Sequence, residues 1–142
     1  MRRPAAAAFA IILAALAPPV ATAAAQGAGV SATAAPRPNS AQRRSILDAL
    51  RPAIERRLGP NVEFVVSDMR VSGGWAFVMA NPQRRGGRPI DGRRYFPNFD
   101  DMDGLAVTAL LRFQGRWTLV DHAIGATDVW YCGRAPRSLV GC

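Results

Sequence analysis

His122 is the only histidine in the chain, and the stretch VDHAIGATDVWYCG, Val120–Gly133, sets it close to Asp121, Asp128, Trp130, Tyr131 and Cys132. An imidazole titrates near neutral pH, so in such company it can act as a general base, a metal ligand or the partner of a thiolate. Each role makes demands that the spacing can be checked against. If His122 lies on a strand, Asp121 leaves the opposite face and cannot orient the ring. An orienting acid must then be Asp128 or come from Asp100–Asp103. A Cys-His nucleophile needs Cys132 as a thiolate, which a bond to Cys142 would forbid. One histidine and two cysteines without C-x-x-C, C-x-x-C-H or H-E-x-x-H spacing make a poor metal set, and no metal or cofactor is expected. Unless a cavity reaches the ring, His122 reads as a core residue on an apolar strand face.

A second cluster lies in NPQRRGGRPIDGRRYFPNFDDMDG. It holds Arg84, Arg85, Arg88, Arg93 and Arg94 beside Tyr95, Phe96 and Phe99. Guanidinium groups bind phosphate or carboxylate as forks and stack on aromatic rings, so this excursion reads as an anion-binding or partner-docking arm. Long loops in compact domains are usually either functional or mobile, and here composition, length and position together suggest a binding surface. The DDMDG at Asp100–Gly104 opens like a calcium loop but lacks the later ligands, and reads as a solvated turn whose acids offset nearby arginines.

These residues must be placed by a small framework. The chain begins with Arg2 and Arg3, an apolar run Ala5–Ala17, Pro18-Pro19 and then small residues, the pattern of a secretory signal peptide over residues 1–25. Its apolar run is too short for a membrane-spanning helix. Residues 26–39 are Ala, Gly, Ser, Pro and Thr without apolar period, as in a flexible linker. Residues 40–142 are then one domain with one core. The net charge of +8 falls to +6 without Arg2 and Arg3, and every basic side chain is arginine. Export removes nucleic acid, the usual target of a basic chain, and favours an anionic envelope polymer or lipid, or an envelope protein. Two cysteines in an oxidising compartment predict a Cys132–Cys142 disulfide that pins the C-terminal tail.

Ile46, Leu50, Ile54 and Leu58 recur at helical spacing in SAQRRSILDALRPAIERRLG, which predicts an amphipathic helix capped by Ser40 or Asn39, ended by Gly59-Pro60 and kinked or divided at Pro52. Four strands follow. NVEFVVSDMRV and WAFVMA flank Ser72-Gly73-Gly74, and LAVTALLRF and RWTLVDHAI flank Gln114-Gly115. A two-residue Gln114-Gly115 loop would pair Phe113 with Arg116, Ala109 with Val120 and Val107 with His122. Leu110 would then share the opposite face with Leu119, leaving both faces partly apolar.

The predicted class is α+β, one helix on a curved four-stranded antiparallel sheet. The order of elements, the long middle excursion and the closing GRWTLVDHAIG strand resemble the cystatin-like and nuclear-transport-factor-like half-barrels over Ser40 to about Asp128. GWAFV and the DGLAVTALLR…GRW…TDVWY pattern are also similar to small exported bacterial proteins of uncharacterised function. Neither resemblance transfers a catalytic residue, although half-barrel enzymes do use His or Asp inside the cone. The expectation is therefore an exported, periplasmic or secreted, non-catalytic domain that binds a protein partner or an anionic envelope component through its arginine-rich loop or its second sheet face. Dimerisation through that open face is a variant. The alternative is an isomerase or dehydratase with His122 as base, aided by Asp128, which requires a cavity of roughly 300 Å³ or more at the imidazole.

Overall fold

The computed structural model describes residues 33–142. The expected signal peptide and the first part of the expected linker lie outside the described residues. The architecture is α+β: helix α1 (Ala41–Leu58), strands β1 (Val62–Ser72), β2 (Trp75–Arg84), β3 (Val107–Phe113) and β4 (Trp117–Ile124), and a last turn of helix, α2 (Arg137–Val140). The sheet is antiparallel in the order β1-β2-β3-β4.

The Ser40 hydroxyl accepts from the Arg43 amide, which satisfies one of the free donors that every helix start leaves. Helix α1 then runs through Pro52 as a single element, so the division into two short helices does not occur. The Pro52 ring faces solvent while the opposite stripe, Ile46, Leu50, Ile54 and Leu58, is fully buried against Val62, Val78, Val107, Ala109 and Leu111. That burial contributes about 1.5–3 kcal/mol per large side chain, enough to hold the helix despite the hydrogen bond lost at Pro52.

Between β1 and β2 the turn is Gly73-Gly74, with Ser72 opposite Trp75. Strand β2 continues beyond the expected WAFVMA to Arg84, because Asn81–Arg84 pairs with β1 after β3 has ended at Val107. Pro82, which has no amide hydrogen to offer, therefore sits where one flank of β2 has no strand. Within the segment expected to be a linker, Ala34 exchanges backbone hydrogen bonds with Val71 at 2.9 and 2.8 Å on the edge of β1.

The β3–β4 register differs from the one a two-residue loop dictates. Phe113 faces Trp117, and the loop has three residues, Gln114, Gly115 and Arg116, closed by a Gln114 amide to Arg116 carbonyl bond of 2.9 Å. Leu111 therefore faces Leu119, which joins the helix-side core. A bulge follows between Leu110/Leu111 and Leu119/Asp121, leaving Val120 unpaired and 52 % exposed. The extra residue reverses the alternation, so His122 faces Ala109 and remains on the helix side.

The second sheet face is not open as the sequence suggested. Phe77 and Leu110 are completely buried there beneath Leu139, Val140, Trp130 and Tyr131 of the tail. The Phe77 and Tyr131 rings lie 4.7 Å apart, and the Trp130 indole donates to the Thr108 hydroxyl at 2.7 Å. Cys132 and Cys142 are bonded, with Cα atoms 5.8 Å apart, and close the tail into a loop. Replacing both cysteines with alanine should lower unfolding free energy by about 2.5–3 kcal/mol, the chain-entropy value for so short a loop. Urea denaturation of the variant checks this, and Trp130 emission should shift red if the tail leaves Phe77.

Candidate functional site

Helix α1 runs the length of the domain, roughly 27 Å at 1.5 Å per residue, and divides it into two ends. Its C-terminal end meets the excursion between β2 and β3, and most of the residues suited to chemistry are found there.

Two glycines let the excursion fold back on the domain. The Phe99 ring rests on Gly92, where an added Cβ would lie 2.1 Å from it. Gly125, with φ +63°, brings the end of β4 against Gly104 and Met102, and its carbonyl accepts the Asp103 amide at 3.1 Å. Any side chain at Gly125 would strike the Gly104 carbonyl.

The five arginines of the excursion, with Tyr95 and Phe96, were expected to form a binding arm, and they divide by role. Arg84 is occupied. Its guanidinium donates to the Gly59 and Pro60 carbonyls at 3.3 and 2.7 Å, to the Leu58 carbonyl, and to the Tyr95 hydroxyl at 2.7 Å. It thus caps α1, where free carbonyls and the negative end of the helix dipole gather. Tyr95 is held by that contact, Phe96 is 7 % exposed beneath the Arg57 guanidinium, and Arg93 pairs with Asp100. Arg85, Arg88 and Arg94 remain, exposed and without an ion pair or hydrogen bond from their side chains among the described residues.

The turn Arg84–Arg88, closed by an Arg84 amide to Arg88 carbonyl bond of 2.8 Å, holds Arg85 and Arg88 over a cleft of about 460 Å³ lined also by Pro60, Asn61 and Arg84. Asn61 adopts φ 63°, a left-handed conformation that asparagine tolerates. A neighbouring depression of about 390 Å³ shares Asn61 and Arg85 but adds Glu55 and Glu63, whose carboxylates disfavour an anion. The cleft proper has cationic side chains and no acid in its lining.

His122 lies at the same end of α1. With Arg57, Phe96 and Ile124 it lines a cavity of about 190 Å³, which shares those three residues with a depression of about 420 Å³ reaching Asp101 and Asp128. Burial lowers the imidazole pKa below its ordinary 6.5; the Asp121 charge opposes this, and Arg56 and Arg57 reinforce it. The ring is therefore neutral at neutral pH, the form a base requires. Its surroundings supply no orienting group: no side chain among the described residues hydrogen-bonds the imidazole. Asp121 accepts the His122 backbone amide at 2.8 Å and pairs with Arg134 of the tail. Cys132 is in its disulfide, so a Cys-His nucleophile is excluded. Among the described residues no group of three or more His, Cys, Asp or Glu is placed to hold a metal.

A third depression, which the sequence did not suggest, opens at the other end of α1. It measures about 500 Å³ and is lined by Ala41, Gln42, Ser45, Val71, Gly74, Phe113 and Trp117. The available signal was an aromatic residue on each side of Gln114-Gly115-Arg116, where a hairpin tip would ordinarily be polar.

Replacing Arg84 with glutamine removes four hydrogen bonds and should cost about 2 kcal/mol of stability, measured by urea denaturation, while leaving Arg85 and Arg88 in place. Because the folded chain holds the His122 pKa down, protonation is harder folded than unfolded. This contribution is intact above pH 6.5 and is lost as pH falls through the lower folded value. The urea midpoint should thus fall between pH 7.5 and 5.5, and less so in His122→Gln. No known protein family, curated protein or solved structure matches the chain, so its function is to be read from this geometry.

Proposed function

We propose that this chain is a small exported binding domain, without catalysis of its own, that engages an anionic envelope polymer through Arg85 and Arg88, with Arg94 adding long-range attraction. The observation that carries the reading is the pair of exposed, unpartnered guanidinium groups over the cleft of about 460 Å³. A free arginine fork donates bidentately to phosphate or carboxylate oxygens. Arg84 deepens the effect indirectly. By binding the carbonyls of Leu58, Gly59 and Pro60 at and just beyond the end of α1 its cation offsets the negative helix terminus, which would otherwise repel an anion from this end. The disulfide agrees with an oxidising compartment such as the periplasm or the cell exterior.

The rival reading, His122 as general base with Asp128 in an isomerase or dehydratase, is weaker on two counts. The cavity at the imidazole, about 190 Å³, is smaller than a substrate pocket of the usual range, and no carboxylate orients the ring.

Calorimetric titration with polyphosphate, repeated at several salt concentrations, tests the proposal. Arg85→Gln with Arg88→Gln should lower the affinity about tenfold or more and flatten the salt dependence, whereas Arg137→Gln should change little. Equal affinity of the double variant and the parent would overturn it.

A further inference from the structure

At the end of the domain away from the arginine cleft, three elements meet: the start of α1, the Gly73-Gly74 turn and the Gln114–Arg116 turn. The Phe113 amide donates to the Gly74 carbonyl at 2.8 Å and ties the two hairpin tips together. The cleft of about 500 Å³ lies between these tips and α1, walled by Val71, Phe113 and Trp117. Phe113 is 50 % exposed, and its ring centroid lies 5.3 Å from that of Trp117. At the same end Trp75 carries the Arg112 guanidinium 4.6 Å above its ring.

The charge here is of one sign. The segments that build this end, Thr33–Leu47, Ser72–Trp75 and Leu110–Leu119, contain Arg37, Arg43, Arg44, Arg112 and Arg116 and no acidic residue. None of these five arginines forms an ion pair among the described residues. The acids of the domain lie elsewhere: Asp48 on the next turn of α1 pairs with Arg51, Asp68 with Arg70, Asp100 with Arg93 and Asp121 with Arg134.

An exposed phenylalanine, Phe113, beside the half-buried Trp117 on one hairpin tip, among arginines without ion-pair partners in the described residues, has the composition that suits a bilayer interface. Tryptophan favours the headgroup level, arginine lays its apolar stem along the surface while its charge meets lipid phosphate, and phenylalanine inserts among the acyl chains. A soluble polyanion would use the charges but would leave the apolar wall of Val71, Phe113 and Trp117 unfilled. We infer that this end is a docking surface for an anionic lipid bilayer, with Phe113 inserting, Trp117 beside it at the headgroup level and Arg43, Arg44 and Arg116 meeting the headgroups. It uses none of the residues of the arginine cleft and does not rest on the polymer-binding reading.

The full chain is mixed with vesicles of phosphatidylglycerol and phosphatidylcholine, or of phosphatidylcholine alone, and followed by co-sedimentation and amide hydrogen exchange. The anionic vesicles should slow exchange at Ser72–Trp75 and Phe113–Trp117, and neutral vesicles should not. This local readout separates the surface from any lipid contact made by the apolar run at Ala5–Ala17. Phe113→Ser should lower partitioning to the anionic vesicles about tenfold, and Arg43→Gln with Arg116→Gln about fivefold per charge removed. Arg85→Gln with Arg88→Gln should bind the vesicles as the parent does, so the two surfaces fail or succeed separately. Circular dichroism confirms that each variant is folded. The inference is overturned if anionic vesicles leave exchange at both tips unchanged, or if folded Phe113→Ser and the arginine variant partition like the parent.

Discussion

Ile46, Leu50, Ile54 and Leu58 form one stripe of α1, and their complete removal from water against the inner face of the four-stranded sheet fixes the position of every other element. The stripe is apolar at helical spacing over four turns, and the sheet offers it alternate residues from neighbouring strands: Val78, Val107, Ala109 and Leu111. With the helix seated there, its C-terminus must end beside the start of β1 and the end of β2. Arg84 can reach the last carbonyls of α1 only because β2 runs to that point, and the excursion that follows is fastened by Tyr95 and Phe96 to the same helix end.

A sheet apolar on both faces needs two covers, and a chain of this length has one long helix. The tail supplies the second cover. Trp130, Tyr131, Leu139 and Val140 are too few to hold an isolated segment in place, but the Cys132–Cys142 bond removes much of the freedom they would otherwise have to lose. Asp121 shows how closely the two faces are linked. The bulge at Val120 places Asp121 toward the tail, where it pairs with Arg134, and His122 toward α1. Two adjacent residues that suggest a catalytic pair in sequence thus serve different faces.

Charge is distributed by the same framework. At the C-terminal end of α1 acids and arginines are mixed and several are paired, and of the excursion's arginines Arg85, Arg88 and Arg94 are left unpaired among the described residues. At the N-terminal end there are no acids, and the charge surrounds an apolar cleft. The first arrangement suits oxygen atoms of a polymer in water, the second a surface with both charge and hydrocarbon. Among the described residues no helix is long and apolar enough to cross a membrane, so contact of the second kind would be peripheral.

The helix, the four strands, the antiparallel hairpins and the disulfide were legible in the sequence because each depends on local pattern: the spacing of Ile46 to Leu58, runs of Val and Phe beside Gly73-Gly74, and two cysteines near the end. The pairing of β3 with β4 was not, because a three-residue loop and a bulge each shift the register by one, and the two add to move the partner of His122 from Val107 to Ala109 while leaving it on the same face, a change that side-chain alternation alone cannot reveal. The role of Arg84 was hidden for a related reason. A sequence shows an arginine among arginines, while only the folded chain brings it to four acceptors, three of them carbonyls at the end of α1. Local periodicity determined which elements form and which faces must be buried. Tertiary structure decided which charges are consumed in holding those elements together and which remain free, because a hydrogen bond or ion pair between distant residues exists only once packing has brought them within reach.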